Sequence, residues 1–86
     1  MELYVVTVYI HSDNREAYSK LFSTKEKAIG YIKYMIKCDI EGGWKLDTEF
    51  NENEYEKNAG CVDLFWKYQE DWSDFIEYTW CIERID

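Results

Sequence analysis

The fold of this chain depends on residues 61–82, CVDLFWKYQEDWSDFIEYTWCI, which are compatible with two structures. A helix would place an apolar stripe on one face, formed by Cys61, Leu64, Phe65, Tyr68 and Trp72. A hairpin would alternate apolar and polar residues along two strands, with apolar positions Val62, Leu64, Trp66, Tyr68, Ile76, Tyr78, Trp80 and Ile82. The period of two and the aromatic content favour the hairpin, with Gln69–Ser73 as its polar turn.

The hairpin also has a predicted register. A turn centred on Asp71 places Val62 opposite Trp80 and Cys61 opposite Cys81. A slip of one residue would turn an indole towards solvent, at a cost of about 2–3 kcal/mol of burial for each ring. The Cβ atoms of the two cysteines would lie about 4.5–5.5 Å apart, close enough for oxidation to join the thiols after a small adjustment.

The N-terminal residues predict a second hairpin. Residues 3–10, LYVVTVYI, are β-branched and aromatic throughout, which is typical of a strand buried on both faces or nearly so. His11–Glu16 supplies turn residues, and Ala17–Phe22 returns as the second strand.

An amphipathic helix is predicted between the hairpins, from Thr24 to about Ile40. Apolar residues recur there at a spacing of three to four, and the lysines fall largely on the opposite face. Ser23 and Glu26 have the spacing of a capping box with Ser23 as the N-cap, and Gly42-Gly43 ends the helix.

The segment Asp47–Asn58 is polar and is predicted to be a loop with one short helix begun by Asp47. The expected fold is therefore α+β, in the order ββαββ, within a single domain of residues 1–86. An antiparallel sheet of about four strands carries the amphipathic helix on one face, because two layers bury this much apolar surface economically.

Charge is distributed unevenly along the chain. Residues 1–38 hold six basic and four acidic side chains, whereas residues 39–86 hold four basic and fourteen acidic ones. The net charge of −8 argues against direct binding to nucleic acid or to an anionic membrane, because like charges repel. It is compatible with a basic protein surface. The chain lacks an apolar run of about 18–20 residues and a signal sequence, so the cytosol is the expected location.

Catalytic and metal-binding patterns are not apparent, and neither an enzyme nor a cofactor is expected. The segment Asp47–Asn58 fails as a calcium loop, because Glu52 and Asn58 occupy the positions that need glycine and a bidentate acid. His11 is the sole histidine and has no nucleophile motif beside it. The three cysteines lack metal spacing and are expected to be buried, reduced thiols: Cys38, Cys61 and Cys81.

Three stretches carry a resemblance: MELYVVTVYI at residues 1–10, FSTKEKAIGYI at 22–32 and YTWCIERID at 78–86. Together they resemble small acidic proteins of bacteriophages and bacterial mobile elements, among which proteins of known role are often anti-CRISPR or other anti-defence inhibitors. The resemblance implies a phage protein that acts in the host cytosol as a non-enzymatic inhibitor of a defence nuclease.

The predicted partner-binding residues are acidic or aromatic: Asp47, Glu49, Glu52, Glu54, Glu56, Glu70, Asp71, Trp72 and Asp74. Acidic rims steer association with basic partners, and a tryptophan at a turn tip is a favoured interface anchor. Two alternatives remain. The acids and Trp72 could form a solubilising surface with the ring packed on its own sheet. The chain could also be a self-associating accessory domain of a mobile element, a homodimer formed through an edge strand.

Overall fold

The computed structural model of the chain describes residues 3–12, 15–47, 50–66 and 75–85. Its elements are β1 (Leu3–His11), β2 (Arg15–Phe22), α1 (Lys25–Glu41), β3 (Trp44–Leu46), a 3₁₀ helix (Glu52–Glu56), β4 (Ala59–Trp66) and β5 (Phe75–Ile85). These strands form one antiparallel sheet in the order β2-β1-β5-β4-β3. The α+β prediction is confirmed, and β3 is a fifth strand that the sequence analysis did not predict.

The helix α1 covers one face of the sheet. It buries Ala28, Ile32 and Ile36, which lie on one side of the helix at the predicted spacing. The buried side chains of the sheet all come from its alternate, even-numbered positions: Val6, Val8, Val62, Leu64, Tyr78, Trp80 and Ile82. The hydroxyl of Tyr78 donates a hydrogen bond to the Asp39 carboxylate and so ties the sheet to the helix.

The other face of the sheet is only partly covered, so the expectation that β1 is buried on both faces or nearly so fails at Tyr9. Val6 and Val8, which face the helix, are fully buried. Tyr9 points to the opposite face of the sheet and is 46% exposed. A continuous apolar run indicates two covered faces only when a second layer exists. One helix covers one face, and in the described chain no element packs on the other.

The helix begins one residue later than predicted. Thr24, not Ser23, is the N-cap, because its extended backbone lets its hydroxyl accept a hydrogen bond from the Lys27 amide at 3.1 Å. The predicted end is confirmed. Gly42 caps the helix, and Gly43 has a φ of +119°, which a residue with a side chain rarely adopts.

The C-terminal hairpin is confirmed as two paired strands, but its register differs by two residues from the predicted one. Val62 pairs with Tyr78, and Gly60 pairs with Trp80. The shift keeps every side chain on its predicted face because side chains alternate with a period of two. The reason for the register is steric. A Cβ atom at Gly60 would lie 2.5 and 2.8 Å from two atoms of the Trp80 indole, so this ring fits only opposite glycine.

The predicted opposition of Cys61 and Cys81 is consequently wrong. Cys61 pairs with Thr79, and Cys81 pairs with Ala59. All three cysteines are free thiols, and the expectation that they are buried is also wrong: Cys38 and Cys61 are exposed and Cys81 is half-buried. The turn of the hairpin, including Trp72, lies outside the described residues.

The predicted loop Asp47–Asn58 lies between β3 and β4, but the strand before it and the start of its short helix differ from the prediction. Residues Trp44–Leu46 pair with β4, and the Trp44 and Trp66 rings meet edge-on with centroids 5.2 Å apart. The short helix begins at Asn51 instead of Asp47. The side chain of Asn51 accepts a hydrogen bond from the Asn53 amide at 2.9 Å, which gives the 3₁₀ helix its N-cap. No helix in the described ranges is long and apolar enough to cross a membrane.

Candidate partner-binding site

An acidic cleft lies at the edge of β4, where the short strand β3 stops. The Asp47 amide donates to the Asp63 carbonyl at 3.1 Å, and the Phe50 amide then donates to the Asp47 carbonyl at 3.1 Å. This turn leads the chain away from β4 and leaves a cleft of about 310 Å³ between the two. Its lining residues are Asp47, Phe50, Asn51, Glu54, Cys61, Val62 and Asp63.

Aromatic packing holds the outer wall of the cleft in place. Tyr55, in the 3₁₀ helix, is buried and stacks on Trp80 of the core, with ring centroids 5.5 Å apart. Phe50 meets the Tyr55 ring edge-on at 5.2 Å. The ammonium of Lys33, on α1, lies 5.2 Å from the centroid of the same ring, within range of a cation–π interaction. The wall is therefore anchored to the core and to the helix.

The carboxylate of Asp63 is in an unfavourable environment. Burial raises its pKa above the usual value, and the neighbouring carboxylates of Glu77 and Asp47 raise it further. No ion pair in the described residues involves Asp63, whereas Glu54 is paired with Lys57 at 2.6 Å. A positive charge placed beside Asp63 would relieve this repulsion, so the cleft has the electrostatic character of a cation site.

The shape of the cleft suits a long cationic side chain. Phe50, which is half-buried, supplies an apolar surface for the aliphatic stem of lysine or arginine. Asp47 and Asp63 supply carboxylate oxygens for its charged end, and charge-assisted hydrogen bonds of this kind are stronger than neutral ones. In the described part of the chain, no group of three or more potential ligands is arranged to hold a metal ion.

The structure places four of the predicted partner-binding residues. Asp47 and Glu54 line the cleft. Glu52 and Glu56 lie on the 3₁₀ helix with exposed side chains, and Glu56 borders a separate cavity of about 250 Å³ beside the start of α1. The remaining predicted residues lie outside the described ranges, and their role stays a prediction: Glu49, Glu70, Asp71, Trp72 and Asp74.

Asp63 is the residue that the sequence analysis missed. It lies on the polar side of the predicted strand, where an acidic residue needs no further explanation. The signal that would have found it is the pairing of Asp63 with Glu77 across the two strands, because like charges directly opposite each other are destabilising.

Comparison with known proteins adds no relative. No protein-family model matches the chain, and no curated protein or solved structure matches it.

Proposed function

We propose that this chain is a non-enzymatic inhibitor of a host defence nuclease, of the anti-CRISPR type that its sequence resembles. The observation that supports this function is the acidic cleft at the β4 edge, with Asp63 held among other carboxylates and in no ion pair with a described residue. The partner would present a basic surface, and its natural ligand there would be the phosphate backbone of a nucleic acid.

The mechanism is competition for cationic side chains. An arginine or lysine of the nuclease enters the cleft, lays its stem on Phe50, and hydrogen-bonds to Asp47 and Asp63. That side chain can then no longer hold a phosphate. The net charge of −8 accelerates the encounter with a basic surface, and this attraction weakens as salt is added.

The other acidic residues extend this surface in the proposal. Glu52 and Glu56 lie on the same 3₁₀ helix as Glu54, and their side chains are exposed to solvent. The predicted residues of the hairpin turn, Trp72 among them, would add an aromatic anchor to the acidic rim.

The test is a panel of purified CRISPR effector nucleases, each assayed for target cleavage and for binding with and without the protein. We expect one or more effectors to be inhibited, with binding that weakens steeply between low and high salt. The absence of both inhibition and binding across the panel would remove this function.

The cleft itself is tested with matched charge changes on the inhibited effector. The double variant D47N/D63N removes two carboxylates from the cleft and should weaken binding at least about tenfold, which corresponds to about 1.4 kcal/mol. The control E41Q removes one negative charge from the exposed end of α1, where Glu41 is 68% exposed, and should bind like the wild type. An equal loss per removed charge in both variants would assign the effect to net charge and not to the cleft.

A further inference from the structure

The strand β2 forms an edge of the sheet that nothing in the described chain covers. It pairs with β1 along its whole length, from Arg15 opposite His11 to Phe22 opposite Tyr4. Seven of its eight residues are exposed, and no strand lies on its outer side within the described residues. An edge strand of this length presents a row of main-chain donors and acceptors that another strand can pair with.

The sequence of β2 is complementary to itself in one antiparallel register. If two copies meet about a two-fold axis perpendicular to the sheet at Tyr18, Glu16 of each copy lies opposite Lys20 of the other. Because opposed residues in antiparallel strands share a face, both pairs of opposite charges lie on the face that carries α1. On the open face, Ala17 lies opposite Ser19, and Arg15 lies opposite Leu21.

The neighbouring registers lack this match. A centre at Ser19 would set Glu16 opposite Phe22 and Lys20 opposite Tyr18, so that neither charge meets a countercharge. Register in paired strands is fixed by such side-chain matches. The alignment at Tyr18 is thus favoured by charge as well as by main-chain pairing.

The Glu16 carboxylate accepts a hydrogen bond from the Tyr18 hydroxyl of its own strand at 2.6 Å, and a carboxylate can accept further hydrogen bonds from a lysine of the other copy. The ammonium of Lys20 lies over the Phe22 and Tyr31 rings, at 5.8 and 5.3 Å, and forms no ion pair with any described carboxylate. Leu21, the next-to-last residue of β2, is 56% exposed. The aliphatic stem of Arg15 from a second copy would cover it.

We propose that the chain forms a homodimer in which β2 pairs with β2 of a second copy, with Tyr18 at the two-fold axis. The two five-stranded sheets then join into one sheet of ten strands. The seven paired positions of each strand would add about six to eight main-chain hydrogen bonds. Because the acidic cleft lies on β4, towards the opposite edge of each sheet, the dimer would carry one cleft near each end.

The experiment is sedimentation equilibrium of the purified protein in about 0.15 M salt, where the Debye length of about 8 Å limits the repulsion between two acidic chains. The wild type should sediment as a dimer across tens to hundreds of micromolar. Each single variant, E16K or K20E, should raise the dissociation constant of the dimer at least about tenfold, because both charge pairs become repulsive. The control K37E makes the same charge change on α1, where Lys37 is 72% exposed, and should remain a dimer.

Mixing supplies the decisive readout. In the proposed register, a copy with E16K presents two lysines to the two glutamates of a copy with K20E, so the mixed sample should regain the dimer mass that each variant alone lacks. The double variant E16K/K20E should dimerise with itself. Circular dichroism checks that each variant is folded, and amide exchange in β2 of the wild type should slow as concentration rises. A monomeric wild type, dimers that ignore both single changes, or mixed variants that stay monomeric would overturn the proposal.

Discussion

The substitution Gly60→Ala tests the register of the C-terminal hairpin at the point where it is set. The new Cβ atom would lie 2.5 Å from Cζ2 and 2.8 Å from Cε2 of Trp80, and 3.2 Å from the Glu54 carbonyl oxygen. Ordinary contacts between carbon atoms are about 3.5–4.0 Å, so the indole or the strand has to move by about 1 Å. The indole is 1% exposed and is stacked by Tyr55, which leaves it no free space.

The expected cost follows from this geometry. Overpacking a well-packed core by one methyl group costs typically about 1–3 kcal/mol, and a ring that cannot move belongs at the upper end of that range. Alanine also restricts the unfolded chain, which offsets about 0.5 kcal/mol. We therefore expect Gly60→Ala to lower the free energy of unfolding by about 2 kcal/mol, or the melting temperature by about 8–16 °C in a domain of this size.

Urea denaturation followed by tryptophan fluorescence measures this change, and Gly30→Ala is its matched control. A Cβ atom at Gly30 meets nothing within 4 Å, and the residue is exposed in α1, so alanine there should raise stability by about 0.5–1 kcal/mol. The same chemical change should thus have opposite signs at the two positions. If Gly60→Ala is as stable as the wild type, the pairing of Gly60 with Trp80 is wrong.

Two further substitutions probe polar side chains of β4 and β5. Tyr78→Phe removes the hydrogen bond to the Asp39 carboxylate and should cost about 1.5–3 kcal/mol in urea denaturation. Burial, and then the neighbouring Asp39 carboxylate, raise the pKa of Tyr78. The stability that the protonated hydroxyl contributes is therefore lost as the pH rises above about 10. The difference in free energy of unfolding between the wild type and Tyr78→Phe should narrow there, and a constant difference would contradict this. Asp63→Asn should stabilise the protein at pH 7, because burial and neighbouring carboxylates raise the pKa of Asp63 and disfavour its charge. The gain should shrink as the pH falls through the raised pKa of Asp63, because the folded wild type then takes up a proton there; destabilisation at pH 7 would refute the reasoning.

The elements of the fold were predictable because their signals are local. The period of the apolar residues in α1 and in the two strands of the C-terminal hairpin is visible without knowing the partner of any residue. The two-residue register error arose because both registers bury the same faces. A glycine opposite the largest side chain decides between them, and Gly60 was the available signal.

The candidate site was only partly predictable because it depends on where a strand ends. Asp47 and Glu54 stood out as members of an acidic run. Asp63 did not stand out, because its environment depends on where β3 ends. The strand ends at Leu46, so the edge of β4 beside Asp63 borders a turn and a cleft instead of a paired strand. Thr24 was missed as the N-cap for a simpler reason. Ser23 and Thr24 both carry a suitable hydroxyl, and only the backbone decides which one is used.

The pairing of β1 with β5 has a consequence for synthesis and folding kinetics. The first strand, β1, pairs with the last strand, β5, from Leu3 opposite Ile85 to His11 opposite Glu77, so two neighbours in the sheet are the described elements farthest apart along the chain. At about 5–20 residues per second, a ribosome needs several seconds between making β1 and making β5. During that interval the hairpin of β1 and β2 keeps its inner edge unpaired. Closing so long a loop is slow, so the sheet should form in milliseconds to seconds, after β5 has emerged.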